Sequence, residues 1–259
     1  MKRLSTLVKN EIFKSFIIKN SYYCSGGNIK LGKEILTWSK LYNNIDFTVN
    51  DVMPGVTCKC SGSCGNYCKG CSKTCYVKKS YDLHGASVIK GHARRTIATR
   101  FYINELQERL SLQLSRKRGK AACVRIHQSG EIESLSELIM HKNIAAEHPE
   151  TVFFMYTKAF DIVIPYIIKH AAVWPDNFII LISIWNEYGI KEYNSVKHLP
   201  FIKAFICNTG YNYQAAGIEC TTTCKAYNGK KLNHEITCFR CKKCFDKNIN
   251  HKTILCDEH

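Results

Sequence analysis

The chain has 259 residues, 45% hydrophobic and 22% charged, which suits a globular protein with a sizeable core and excludes a disordered or collagen-like one. Its 37 lysines and arginines against 21 acidic residues leave a formal net charge of +16, which points to an anionic partner, most simply nucleic acid. Fifteen cysteines paired as disulfides would need an export route, and the opening "MKRLSTLVKNEIFKSFIIKN" is not read as a signal peptide, because Lys9, Glu11 and Lys14 interrupt any apolar core. That opening reads instead as a short helix with Leu4, Leu7, Val8, Phe13, Phe16 and Ile17 on one face. No apolar run reaches transmembrane length. The expectation is a cytoplasmic protein without a membrane partner, its thiols reduced and available for metal.

In chain order, residues 1–52 are read as a helix and strand segment, with a weak strand around "DFTVNDVMPG". Residues 53–210 open with six cysteines in eighteen residues: Cys58, Cys60, Cys64, Cys68, Cys71 and Cys75. His92 to Lys120 reads as one long helix, with Ile97, Phe101, Leu106, Leu110 and Leu114 near helical spacing. Arg116, Lys117, Arg118 and Lys120 suit the negative end of its dipole, whereas His92, Arg94 and Arg95 at its start run against it and suggest a nearby anion. "ACVRIH" is a strand and "QSGE" a turn. Ser134 and Glu137 form a capping-box pattern opening the helix "SLSELIMHKNIAAEH", which Pro149 stops.

"TVFFMYT" is the next strand, and "DIVIPYIIKHAA" a helix with Pro165 near its first turn. "NFIILISIW" is apolar enough for a strand buried on both faces of a parallel sheet, and "FIKAFIC" supplies another. Repeated strand–helix units predict an α/β fold, its parallel sheet open or closed into a full or partial (β/α) barrel of the TIM type, with chemistry at the C-terminal ends of the strands. His127, Lys158, Trp185, Asn186 and Glu187 all follow strands and would line that mouth or form a solvated rim. Cys123 and Cys207 read as small buried hydrophobes, and Cys24 stands alone. Residues 211–259 form a cysteine-rich metal-cluster appendage with Cys220, Cys224, Cys238, Cys241, Cys244 and Cys256.

Structural zinc commonly takes two separated pairs of ligands. Cys238-x-x-Cys241-x-x-Cys244 instead overlaps three ligands in one run, the start of a ferredoxin-type pattern for a [4Fe-4S] cluster. Zinc is the alternative, and the fourth thiolate is Cys220, Cys224 or Cys256.

Cys64-x-x-x-Cys68-x-x-Cys71 resembles the signature of the radical SAM superfamily, and Ser129-Gly130-Glu131 resembles its glycine-rich turn after the second strand. The resemblance implies a [4Fe-4S] cluster on the three cysteines with one iron open to S-adenosylmethionine, Glu131 at the amino group of its methionine moiety, and a reductant such as flavodoxin or ferredoxin. His127 would then be a general acid or a cluster ligand, against the plainer reading of a hydrogen-bonded strand-end histidine. The sequence also resembles the phage and mobile-element family called gene product 88, through "KLGKEILTWSK", "MPGVTC", "CSKTCYV", "VRIHQSGEIES" and the closing cysteines. That resemblance implies a cysteine-rich α/β protein and no particular activity. Its simplest form has Cys58, Cys71 and Cys75, so either triad could hold the first cluster. Two functions stay in play: a radical SAM-like iron–sulfur enzyme acting on nucleic acid or a nucleotide, and a non-enzymatic zinc- or Fe–S-stapled protein that binds nucleic acid or a host protein.

Overall fold

The structure, a computed structural model, describes residues 4–25, 34–40, 47–48, 59–60, 76–116, 123–208, 213–214, 216–224, 227–228, 231–232, 237–246, 248 and 252–257. The elements run α1 (Leu4–Leu7), α2 (Glu11–Lys19), β1 (Cys24–Ser25), β2 (Ile35–Trp38), β3 (Phe47–Thr48), β4 (Lys59–Cys60), α3 (Tyr76–Phe101), α4 (Ile103–Ser115), β5 (Cys123–Ile126), α5 (Leu135–Glu147) and β6 (Val152–Thr157). There follow α6 (Phe160–His170), β7 (Phe178–Ile184), α7 (Glu187–Val196), β8 (Ile202–Asn208), β9 (Thr222–Thr223), β10 (Tyr227–Asn228), β11 (Lys231–Leu232), α8 (Cys238–Cys241) and β12 (Thr253–Asp257).

Eight strands form one sheet in the order β1-β2-β5-β6-β7-β8-β12-β9. Only the β1–β2 pairing is antiparallel, so seven strands run parallel. The fold is α/β as expected, but the sheet is open, with β1 and β9 at its edges, and the closed barrel is not found. The weak strand expected in "DFTVNDVMPG" is present, but as the two residues Phe47–Thr48 outside the main sheet. Phe47–Thr48 pairs with Lys59–Cys60 in a separate ribbon, and the first parallel strand is the apolar Ile35–Trp38.

From β2 to β8 the chain always steps to the same side. Right-handed crossovers that step one way place their helices on one face of the sheet. The register agrees: Trp38, Ile126 and Met155 lie side by side, and Trp38 meets His141 of α5 edge-on and the Arg95 guanidinium of α3. Gly189 lets α7 close on β7, since a Cβ there would sit 3.2 Å from the Ile184 Cα. The other face carries Arg125, Phe154 and Tyr156, and it is covered by the cysteine-rich segment around α8.

The single helix expected from His92 to Lys120 is two helices, α3 and α4. Tyr102 breaks it at φ −139° and buries itself, donating its hydroxyl to the Val8 carbonyl at 2.9 Å. The break turns Phe101 outward, to 44% exposure, while Leu106, Leu110 and Leu114 stay in the core. Because α3 begins at Tyr76, His92 and Arg95 lie in its interior and not at a dipole end, which removes the ground for an anion there. Arg95 is buried and donates to the Ser39 carbonyl at 2.6 Å. No described helix is long and apolar enough to cross a membrane.

Replacing Leu110, wholly buried, by alanine should cost about 2–5 kcal/mol of unfolding free energy. The same change at Leu112, 45% exposed on the same helix, should cost under about 0.5 kcal/mol, both read from urea midpoints.

Candidate metal centre

β6 alternates across the sheet, sending Phe154 and Tyr156 to the face opposite the main helices. The segment after β11 returns over that face. Thr237 caps α8 by accepting from the Arg240 amide, and Lys242 follows in a left-handed conformation at φ 57°, reversing the chain. This tight turn brings Cys238, Cys241 and Cys244 to one side. They line a single cavity with Cys224, Phe154, Tyr156, Lys243, Phe245 and Ile254. Of the three residues left open as the fourth thiolate, the cavity is therefore lined by Cys224; Cys220 and Cys256 are not among its walls. Cys256 is buried on β12, opposite Cys207 of β8. None of the nine cysteines whose side chains are described is in a disulfide.

Several contacts fix this wall. Phe245 stacks on Phe154 with ring centroids 4.8 Å apart, and Tyr156 packs edge-on against Phe205 at 4.9 Å. Lys203, 3% exposed on β8, donates to the carbonyls of Lys243 and Asp246, each at 2.8 Å, pinning the loop that carries Cys244. Burial lowers the pKa of Lys203, against the pull of Cys244 and Asp246. Burial pushes the Cys244 thiol up to about 12, partly offset by a hydrogen bond from Tyr156 and reinforced by Cys238, Cys224 and Cys241. Cys123 is raised as well, by burial first and then by Cys238. A thiol so raised is protonated at neutral pH, and binding a metal there releases protons.

The cavity these residues line is small, about 10 Å³, room for one water. Among the described residues, no three of these sulfurs lie within 4.8 Å of one another, whereas thiolates at about 2.3 Å from one zinc would stand about 3.8 Å apart.

In the first cysteine group, Cys58, Cys64, Cys68, Cys71 and Cys75 lie outside the described residues, and Cys60 is described only as backbone paired with Phe47. The Ser129-Gly130-Glu131 turn is well defined. Ser129 accepts from the Lys40 amide and donates its hydroxyl to the Lys40 carbonyl, both at 2.8 Å, so the turn is stitched to the end of β2. Gly130 adopts φ 82°, open to glycine at no steric cost. The Glu131 carboxylate accepts from Ile132 N, Thr157 Oγ1 and Lys158 N at 2.8–3.0 Å, joining the turn to the end of β6.

His127 does not face the cysteine side. By strand alternation it would join Arg125 there, but its φ of 58° turns the ring toward α5. There it meets His141 edge-on at 6.0 Å, and its Nε2 lies 3.3 Å from Glu137 Oε1. Ser134 caps α5 as read, accepting from the Glu137 amide at 3.2 Å. The Glu137 carboxylate has a further use: Oε2 accepts from Glu133 N at 3.0 Å and from Lys40 Nζ at 2.8 Å, all at zero side-chain exposure for the ion pair. Burial would raise the Glu137 pKa, but Lys40, then His127 and His141, outweigh it and hold the carboxyl well below its usual range. Lys40 and His141 went unread in the sequence. The signal for His141 was the Glu137-x-x-x-His141 spacing, one helical turn on one face. At the other strand ends, Lys158 sits over the Trp185 ring at 5.0 Å, and Asn186 caps α7 through Gly189 N.

A family model described as gene product 88 matches residues 23–247, and the chain belongs to that family. No curated protein and no solved structure matches it.

Two outcomes follow. Lys203→Met, which removes two charge-assisted hydrogen bonds to the cysteine loop, should cost about 1.5–3 kcal/mol in urea unfolding. Burial, then Arg95, lowers the His92 pKa to about 3, below its ordinary 6.5, so the unfolded chain takes up that proton first. Stability should therefore fall as pH drops from about 6.5 toward 3, and His92→Gln should flatten that slope in urea midpoints taken across this range.

Proposed function

We propose that this member of the gene product 88 family is an iron–sulfur protein, with Cys224, Cys238, Cys241 and Cys244 as the ligands of one [4Fe-4S] cluster. The observation that carries the reading is that these four thiols, and not Cys220 or Cys256, line one cavity. Four sulfurs of which no three lie within 4.8 Å of one another suit a cluster, and the small free volume suits a single zinc ion. What favours the cluster is the overlapping Cys238-x-x-Cys241-x-x-Cys244 run, the start of a ferredoxin-type ligand pattern. Four protein thiolates would close this cluster, so it serves structure or electron transfer. The Tyr156 hydroxyl at Cys244 is a hydrogen bond of the kind that tunes such a centre.

The enzyme reading rests on the first cysteine group. In it the chain is radical SAM-like, with Cys64, Cys68 and Cys71, or Cys58, Cys71 and Cys75, leaving one iron open. Its support is the order of elements: parallel β2, the cysteine loop, α3, the adjacent parallel β5, then the SGE turn hydrogen-bonded to the end of β2. A cluster with an open iron would supply the electron that cleaves S-adenosylmethionine. In this reading Glu131, its carboxylate positioned by three hydrogen bonds, would meet the methionine moiety, and the +16 charge would suggest nucleic acid or a nucleotide as substrate. The non-enzymatic reading draws on the pinning of the cysteine loop by Lys203, which fits a structural staple.

Anaerobically purified protein should contain iron and acid-labile sulfide, and lose about one cluster when Cys238 or Cys241 becomes alanine but not when Cys220 does. Stoichiometric zinc without sulfide contradicts the reading. Reductive cleavage of S-adenosylmethionine should vanish on alanine replacement of the first triad and survive changes at Cys238, Cys241 or Cys244. Iron and sulfide without that cleavage leave the closed, non-enzymatic form. Nucleic-acid binding, if electrostatic, weakens as salt rises.

A further inference from the structure

We propose a second, mononuclear metal site on the opposite face of the sheet, where His127, Glu137 and His141 bind a divalent first-row transition ion such as zinc or ferrous iron. Their ligand atoms all lie within 4.8 Å of one another and all three residues are buried. Two imidazoles and one carboxylate suit these ions.

The polar atoms of the site are left without hydrogen bonds. Both ring nitrogens of His127, both of His141, and Glu137 Oε1 are buried and unpartnered. Buried polar groups are normally satisfied, so three of these orphans, one from each residue, converging on one point call for a ligand that accepts lone pairs. A cation does this; an anion would leave the Glu137 oxygen facing another acceptor. His127 Nε2 and Glu137 Oε1 stand 3.3 Å apart without hydrogen-bond alignment, close to the roughly 3.4 Å expected of two ligands on one tetrahedral ion at about 2.1 Å.

The surrounding groups prepare the ligands. Lys40 holds only Oε2 of Glu137, which leaves Oε1 turned to the site and ionised. Such a carboxylate oriented from its far oxygen is the usual outer-shell arrangement of a metal ligand. The left-handed backbone at His127 is an outlier that points the ring at Glu137 instead of the cysteine face. The ion would tie the end of β5 and the SGE turn to α5, and it is independent of the cysteine-bound cluster.

Cobalt(II) titrated anaerobically into the chelator-stripped full chain tests this. The expected result is a bound equivalent whose X-ray absorption shows imidazole and oxygen neighbours, and His141→Asn should lower the cobalt stoichiometry by one while leaving sulfur-to-cobalt charge transfer unchanged. Cobalt surrounded by sulfur alone in the unmodified protein overturns the proposal. So does a folded His141→Asn variant with unchanged stoichiometry. Should that variant not fold, the presence or absence of imidazole neighbours in the unmodified protein decides.

Discussion

A parallel sheet has to be buried on both faces, and here the connections between strands cover one of them. From β2 to β8 each crossover steps in the same direction, so α5, α6 and α7 lie together against Ile126, Met155, Ile180 and Ile182. A barrel would solve the problem by closing the sheet around its inner face. This sheet stays open, and the chain after β8 returns instead, adding β12 and β9 to the edge and laying α8 over Phe154 and Tyr156. Among the described residues, what lies over that face is a four-residue helix and its loop, which offer little apolar surface. The cysteines stand where covalent metal ligation would supply the missing cohesion, as it does in small domains whose cores are insufficient.

The two faces differ in how they handle polar groups. On the cysteine side, Lys203 and Tyr156 place a buried cation and a hydroxyl beside thiols that would carry negative charge once ligated. On the helix side, Lys40, Glu133, Glu137 and Arg100 form a chain of ion pairs running from the end of β2 to α5. The SGE turn lies between these systems, bonded to β2 through Ser129 and to β6 through Glu131. Three neighbouring strand ends are thereby held in fixed relation, which is the mechanical requirement for any chemistry at that edge.

Much of this was legible in the sequence. The strands from "ACVRIH" to "FIKAFIC" announce themselves because both faces are buried, and Ser134 marks the start of α5 by its own side-chain chemistry. What the sequence hid depends on single torsions and long-range contacts. Tyr102 breaks a helix that periodicity continues, for the sake of a hydroxyl bond to Val8 some ninety residues earlier. His127 leaves its expected face through one positive φ, and Glu137, readable as a cap, becomes the partner of a lysine 97 residues away. Closure of the sheet was not readable either, since an open and a closed sheet share the same strand–helix alternation.

Metal held by Cys224, Cys238, Cys241 and Cys244 would fasten the C-terminal segment to the second face of the sheet. Amide hydrogen exchange on the anaerobically purified protein, before and after stripping its metal with a chelator, tests that most directly. Exchange in α8 and β12 should accelerate on stripping while β6 and β7 stay protected. Unchanged exchange in α8 and β12 would mean that the segment is held by its side-chain contacts alone, and would contradict the account.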